Sequence, residues 1–129
     1  MRTIRFRGKR MAGGEWVYGY LNEALSPIKV NNDVSNLRIG RSFVRTSTIG
    51  QFTSLYDKNG KEIYEGDILA LQETDNKVTH CPVSMNCKGY WSIDFGINYG
   101  VCLGLVDKKR VEVIGNIHDN PELLKKGGL

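Results

Sequence analysis

Along most of this chain apolar residues recur at every second position in short runs, and clusters of Gly, Asn and Asp separate the runs. That period places successive side chains on opposite faces of an extended backbone, so it predicts strands buried on one side. At residues 2–7, Ile4 and Phe6 fall on one face and Arg5 and Arg7 on the other, and the arginines are expected to face water or a partner. After Gly13-Gly14, the run 15–21 puts Trp16, Tyr18 and Tyr20 on one face, and the two runs predict a hairpin closed through residues 8–14. Residues 22–36 lose the period. Pro27 and the cluster Asn31-Asn32-Asp33 there predict a mobile loop around a short strand Ile28-Lys29-Val30. Residues 37–52 read as one or two strands broken near Thr46–Thr48.

The pattern sharpens from Gln51 onward. A strand to Tyr56 leads into Asp57-Lys58-Asn59-Gly60. Asn59-Gly60 between apolar runs predicts a tight hairpin with a type I′ turn, which needs φ > 0 at both central residues. Strands follow at 62–64, at 67–72 after a turn at Glu65-Gly66, near 78–83, at 89–95 with Trp91, Ile93 and Phe95 on one face, at 101–106 and at 111–117. At the end of the chain Asn120 suits an N-cap, Pro121 the first helical position, Lys125 and Lys126 the negative end of the dipole, and Gly127 the stop. These predict a helix of one or two turns pinned over the sheet by Leu123 and Leu124.

The 129 residues are about one domain's worth of chain, so residues 1–129 are expected to form one mainly β unit. Arg2, Arg5, Arg7, Lys9 and Arg10 are followed by no apolar signal-peptide core, and no stretch is long and apolar enough for a membrane span. A cytoplasmic protein with no membrane partner is expected. Cys81, Cys87 and Cys102 are an odd number, which favours buried thiols over a disulfide framework. The pair Cys81 and Cys87 beside His80 lacks zinc-ligand spacing, so neither metal nor other cofactor is expected. The net charge of +4 conceals an asymmetry: residues 1–50 carry nine Lys and Arg against three Asp and Glu, net +6, and residues 51–100 carry four against seven, net −3. Such a split steers the basic part toward nucleic acid, or docks it on the acidic part of another copy.

The order of several short motifs carries a family resemblance. Trp16-Val17-Tyr18-Gly19 precedes Ile49-Gly50-Gln51-Phe52-Thr53, then Asp57-Lys58-Asn59-Gly60-Lys61-Glu62-Ile63-Tyr64-Glu65-Gly66-Asp67-Ile68, then Val113-Ile114-Gly115-Asn116-Ile117 and Asn120-Pro121-Glu122-Leu123-Leu124. Over nearly its whole length the chain resembles the YopX family of bacteriophage and prophage proteins, with Ser54 standing where the family usually has a glycine. The resemblance implies a complex β-barrel: a basic β region at 1–50, an SH3-like barrel portion at 51–117, and a short helix and tail at 118–129. It implies a bacterial host's cytoplasm, and no established activity, cofactor or catalytic residue.

Candidate chemistry is sparse. Glu62, Glu65 and Asp67 cluster at a hairpin, where carboxylates are normally solvated and nothing supplies the desolvation a general acid needs. The 57–62 stretch has its glycine at the wrong position for a calcium loop. With no nucleophile elbow, phosphate loop or metal spacing, a non-enzyme is expected. Two binding readings stand. In the first, the chain is a protein-interaction or self-assembling module for a host or phage protein or its own copies. In the second, a basic face of Arg2, Arg5, Arg7, Lys9, Arg10, Arg38, Arg41 and Arg45 with stacking rings Trp16, Tyr18 and Tyr20 holds nucleic acid. Asn59, Gly60 and Gly66 serve as turn residues.

Overall fold

The computed structural model describes residues 4–85, 89–94 and 100–124, so the expectations for Arg2, Cys87, Phe95 and the helix past Leu124 fall outside the described residues. The chain divides into two compact units, Met1–Phe52 and Thr53–Leu129. Both are built from antiparallel strands.

The first unit contains β1 (Phe6–Lys9), β2 (Trp16–Gly19), β3 (Leu21–Val30), β4 (Asp33–Ile39), β5 (Ser42–Phe43), a 3-10 turn at Thr46–Thr48 and the start of β6 (Gly50–Tyr56). β1 pairs with β2 from Phe6 opposite Gly19 to Lys9 opposite Trp16, so the predicted pairing forms, but the first strand starts at Phe6 and runs through Gly8 and Lys9, residues the alternation assigns to the connection. On its other edge β1 meets β6 through Phe6 opposite Gln51 and Arg7 opposite Gly50. A 3-10 turn occupies the predicted break, where Thr48 Oγ1 accepts from Lys9 N (2.9 Å) and donates to Arg45 O (2.7 Å). Met11, Ile39, Val44 and Phe52 are the buried apolar side chains. Gly8 lies so close to Val44 that a Cβ there would sit 3.0 Å from the valine Cβ.

Residues 22–36 are not a loop. They form most of a hairpin in which β3 pairs with β4, closed by Asn31 and Asn32 at φ of 50° and 70°. Two central residues in the left-handed region make a type I′ turn, and asparagine enters that region more cheaply than other residues with a Cβ. The alternation is missing because both faces are wet: most of β3 is exposed, so nothing demands an apolar side. The ladder breaks register between Glu23 and Ile28, the segment that contains Pro27.

The second unit continues β6 and adds β7 (Glu62–Tyr64), β8 (Asp67–Thr74), β9 (Lys77–Met85), β10 (Trp91–Asp94), β11 (Gly100–Cys102) and β12 (Val111–Asn116). β8 to β12 form a five-stranded sheet in the order β11-β10-β9-β8-β12. Ile63, Leu69, Leu71, Cys81, Val83, Trp91, Ile93, Leu103 and Val111 make its core. Residues 101–106 are a strand only to Cys102, after which Leu103–Leu105 form a 3-10 turn.

Three local expectations are corrected here. At 57–60 the turn has positive φ at Gly60 (79°) but not at Asn59, so it is not type I′. Gly60 N donates to Asp57 O (3.0 Å) and the Asp57 carboxylate accepts from Asn59 N (2.8 Å), a side-chain bond that competes with a left-handed Asn59. At the end of the chain, Pro121–Leu124 is a single 3-10 turn. Asn120 Oδ1 accepts from Asn116 N (3.2 Å), behind it in the chain, and is used as a clasp on β12 instead of a forward cap. Among the described residues no sheet closes into a barrel. Finally, Ser54 has φ of 67°, so it occupies the backbone region where glycine costs least.

Candidate functional site

The β1–β2 register places Arg7 beside Tyr18 and Lys9 beside Trp16 on one face. The Arg7 guanidinium lies 4.7 Å and the Lys9 ammonium 5.5 Å from the Trp16 ring, and the Arg5 guanidinium lies 5.1 Å from the Phe52 ring. A cation over an aromatic face is attracted by the ring quadrupole, by about 0.5–1 kcal/mol at exposed sites and about 2 kcal/mol when desolvated. Arg7 is only 6 % exposed, against the expectation that it faces water. Strand alternation fixed its side correctly, but Trp16 across the ladder covers it.

The rest of the predicted basic face is dispersed. Arg10 pairs with Glu15 (2.8 Å) in the β1–β2 connection. The Glu15 carboxyl is held below its usual range by a backbone hydrogen bond first and by Arg10 second. Arg38 lies 5.7 Å from the Phe43 ring and donates through Nε to Asn22 Oδ1 (3.1 Å). Arg45 reaches Asp33 at 3.9 Å, and Arg41 sits exposed in the β4–β5 turn. The structure therefore brings together Arg7, Lys9, Trp16 and Tyr18, and sends Arg10 and Arg41 elsewhere. Tyr18 and Tyr20 present their rings at 55 % and 78 % exposure.

The feature that sequence reasoning missed is the outer surface of the β3–β4 hairpin. Leu25 is fully exposed in the register break of β3, and Ile28 and Val34 are exposed on opposite faces of the same hairpin, Ile28 opposite Ser35 and Val34 opposite Lys29. The usable signal was Asn31-Asn32, a turn dipeptide between two runs that carry isolated apolar residues.

Several of the groups with catalytic potential, Glu62, Asp67, Asp57, Cys81 and His80, are engaged in structure. Tyr64 donates its hydroxyl to Glu62 Oε1 (3.1 Å) and its backbone N–H to buried Asp67 Oδ2 (2.7 Å). Asp57 is buried, and its carboxylate accepts from the backbone N–H groups of Asn59, Lys61 and Val113 at 2.8–2.9 Å. Desolvation pushes its pKa up, but the three N–H donors outweigh that and hold it below the usual aspartate value. Cys81 is fully buried with its thiol directed at Thr79 O, and His80 Nδ1 lies 2.8 Å from Leu123 O. Among the described residues no three His, Cys, Asp or Glu side chains gather into a metal-binding group, and no helix is long and apolar enough to cross a membrane.

A family model described as "YopX protein" matches residues 5–125. No curated protein matches the chain. Among solved structures, protein EF1440 from Enterococcus faecalis is similar at a TM-score of 0.60 and 24% identity, covering 97% of this chain and 100% of that one. Protein yopX from Bacillus subtilis is similar at a TM-score of 0.56 and 24% identity, covering 98% of each chain. At that identity the likeness is one of fold.

Proposed function

The chain belongs to the YopX protein family, and from that premise we propose that it is a non-catalytic interaction module that assembles with further copies of itself in the cytoplasm of a bacterial host. The observation that carries the reading is Leu25, a large apolar side chain left wholly in water on a ten-residue strand that ends its sheet. Ile28 and Val34, on opposite faces of the same hairpin, and Tyr18 and Tyr20 add further exposed apolar side chains within residues 18–34, and apolar surface left in water is the material of contact sites.

Charge supports a second copy as the occupant. The basic residues 1–50, net +6, and the acidic residues 51–100, net −3, suit a heterologous contact in which the first unit of one copy meets the second unit of another. The contact runs through side chains. Pro27 lacks an N–H and the ladder slips register around it, two features that blunt the β3 edge against addition of a further strand.

Light scattering on size-fractionated protein tests this. Expected is a concentration-dependent oligomer at low salt that weakens at high salt, and a shift to monomer in Leu25→Asp with the fold intact by circular dichroism. A monomer at every concentration and salt would overturn the reading.

A second reading, nucleic-acid binding, is favoured by the exposed Tyr18 ring, which stands opposite Arg7 on the ladder with Lys9 on the same strand face. Fluorescence anisotropy of labelled single-stranded DNA and RNA across salt decides it. Binding that falls steeply with salt and is lost in a Lys9→Ala, Tyr18→Ala variant supports it, and no binding at low salt removes it.

A further inference from the structure

The second unit is acidic by composition, with nine Lys and Arg against eleven Asp and Glu over residues 53–129, yet its β8–β12 region carries a basic depression. The depression, about 170 Å³, has Ala70, Val78 and Val111 among its lining and the cations Lys58, Lys109 and Arg110 around them. We infer that this depression is a binding site for an oxyanion, a phosphate or a carboxylate.

Three observations support it. First, Arg110 is fixed in place: its Nε donates to Gln72 O (2.9 Å) and its Nη2 to Glu73 O (3.1 Å). Both acceptors are neutral carbonyls, so the guanidinium is preorganised while its charge stays uncompensated. Second, the lining contains one carboxylate, Glu112, which lies 3.4 Å from Lys58. One of the three cations is thus matched, and Lys109 and Arg110 are left in excess. Their local backbone is held by Asp107, whose Oδ1 accepts from Lys109 N (3.0 Å), so the 3-10 turn that presents them is anchored. Third, Ala70, Val78 and the buried Val111 form apolar lining beside the cations, so an incoming oxyanion meets a concave wall as well as charged donors. The volume suits a single such group and not a whole nucleotide.

Titration of the ¹⁵N-labelled full chain with inorganic phosphate at constant ionic strength tests the inference. Expected are saturable shifts centred on the amides of Lys58, Lys109 and Arg110, with roughly tenfold weaker binding in Lys109→Gln. Arg110→Gln is expected to weaken binding further, but it also removes two bonds to the chain, so Lys109→Gln is the variant that keeps the test independent of folding. Arg41→Gln, exposed in the β4–β5 turn of the other unit and outside the proposed contact residues 18–34, leaves the affinity unchanged. Parallel titrations with acetate and with a phosphorylated peptide separate the sources: tighter binding of phosphate and phosphopeptide identifies a phosphoryl group, and equal binding of acetate identifies a carboxylate. Linear shifts without saturation, or equal shifts around every exposed lysine, would overturn it.

Discussion

Thr53–Leu129 packs nine apolar side chains from β7, β8, β9, β10, β12 and the turn at Leu103 into one cluster. Among its described residues Met1–Phe52 buries the apolar side chains Met11, Ile39, Val44 and Phe52, stacks Arg5, Arg7, Lys9 and Arg38 on aromatic rings, and leaves Tyr18, Tyr20, Leu25 and Val34 in water. The contrast separates two uses of apolar residues. Where they are spent inside, they hold the fold. Where they are left outside on the β3 edge strand, they are available for contact, and cations lying over rings add to the packing of the unit's sheet.

The largest effect that sharpens this contrast comes from the core. Ile93→Ala, at a fully buried position, is expected to cost about 3–4 kcal/mol in urea unfolding because the cavity cannot collapse within a packed sheet. Asp57→Asn is expected to cost about 2–3 kcal/mol, since an amide cannot accept all three backbone donors. It also has a pH signature. The folded pKa of Asp57 lies below its unfolded value, so the stabilisation is complete above the unfolded value and is lost as pH falls through the folded one. Wild type should therefore lose stability below about pH 4 more steeply than the variant. In the first unit Arg7→Ala is expected to cost about 1–2 kcal/mol, through lost packing on Trp16 as well as lost charge. Smallest, Ser54→Gly is expected to stabilise by about 0.5–1 kcal/mol, because relief of a left-handed serine exceeds the added entropy of the unfolded chain.

The same contrast explains what could be read from sequence. In the second unit β7 runs from Glu62 to Tyr64 as the pattern predicts, and β8, β9 and β12 fall within two residues of their predicted ends, because one buried face forces alternation. In the first unit β1 and β2 were legible for that reason. β3 was not, since a strand mostly exposed on both faces has no alternation to show, and β4 buries the polar Ser35 along with Ile39, so the hairpin's signal shrank to Asn31-Asn32. The candidate surface was half legible. Alternation put Arg5 and Arg7 on one face and left Lys9 in the connection, so that Lys9 joins Arg7 on β1 and that Trp16 covers Arg7 depended on the β1–β2 register, and the outward Leu25 depended on a hairpin that periodicity cannot reveal. Asn59 and Asn120 failed for a common cause: each side chain or its neighbour found a bond to another part of the chain that overrode the local preference.

The most direct measurement is amide hydrogen exchange on the intact protein at dilute and at concentrated conditions, followed residue by residue. Self-association through the hairpin predicts that amides of Leu21–Ile39 gain protection with concentration, while β12 of the second unit, outside the acidic residues 51–100, exchanges equally in both. Hairpin protection that is the same at both concentrations would contradict it.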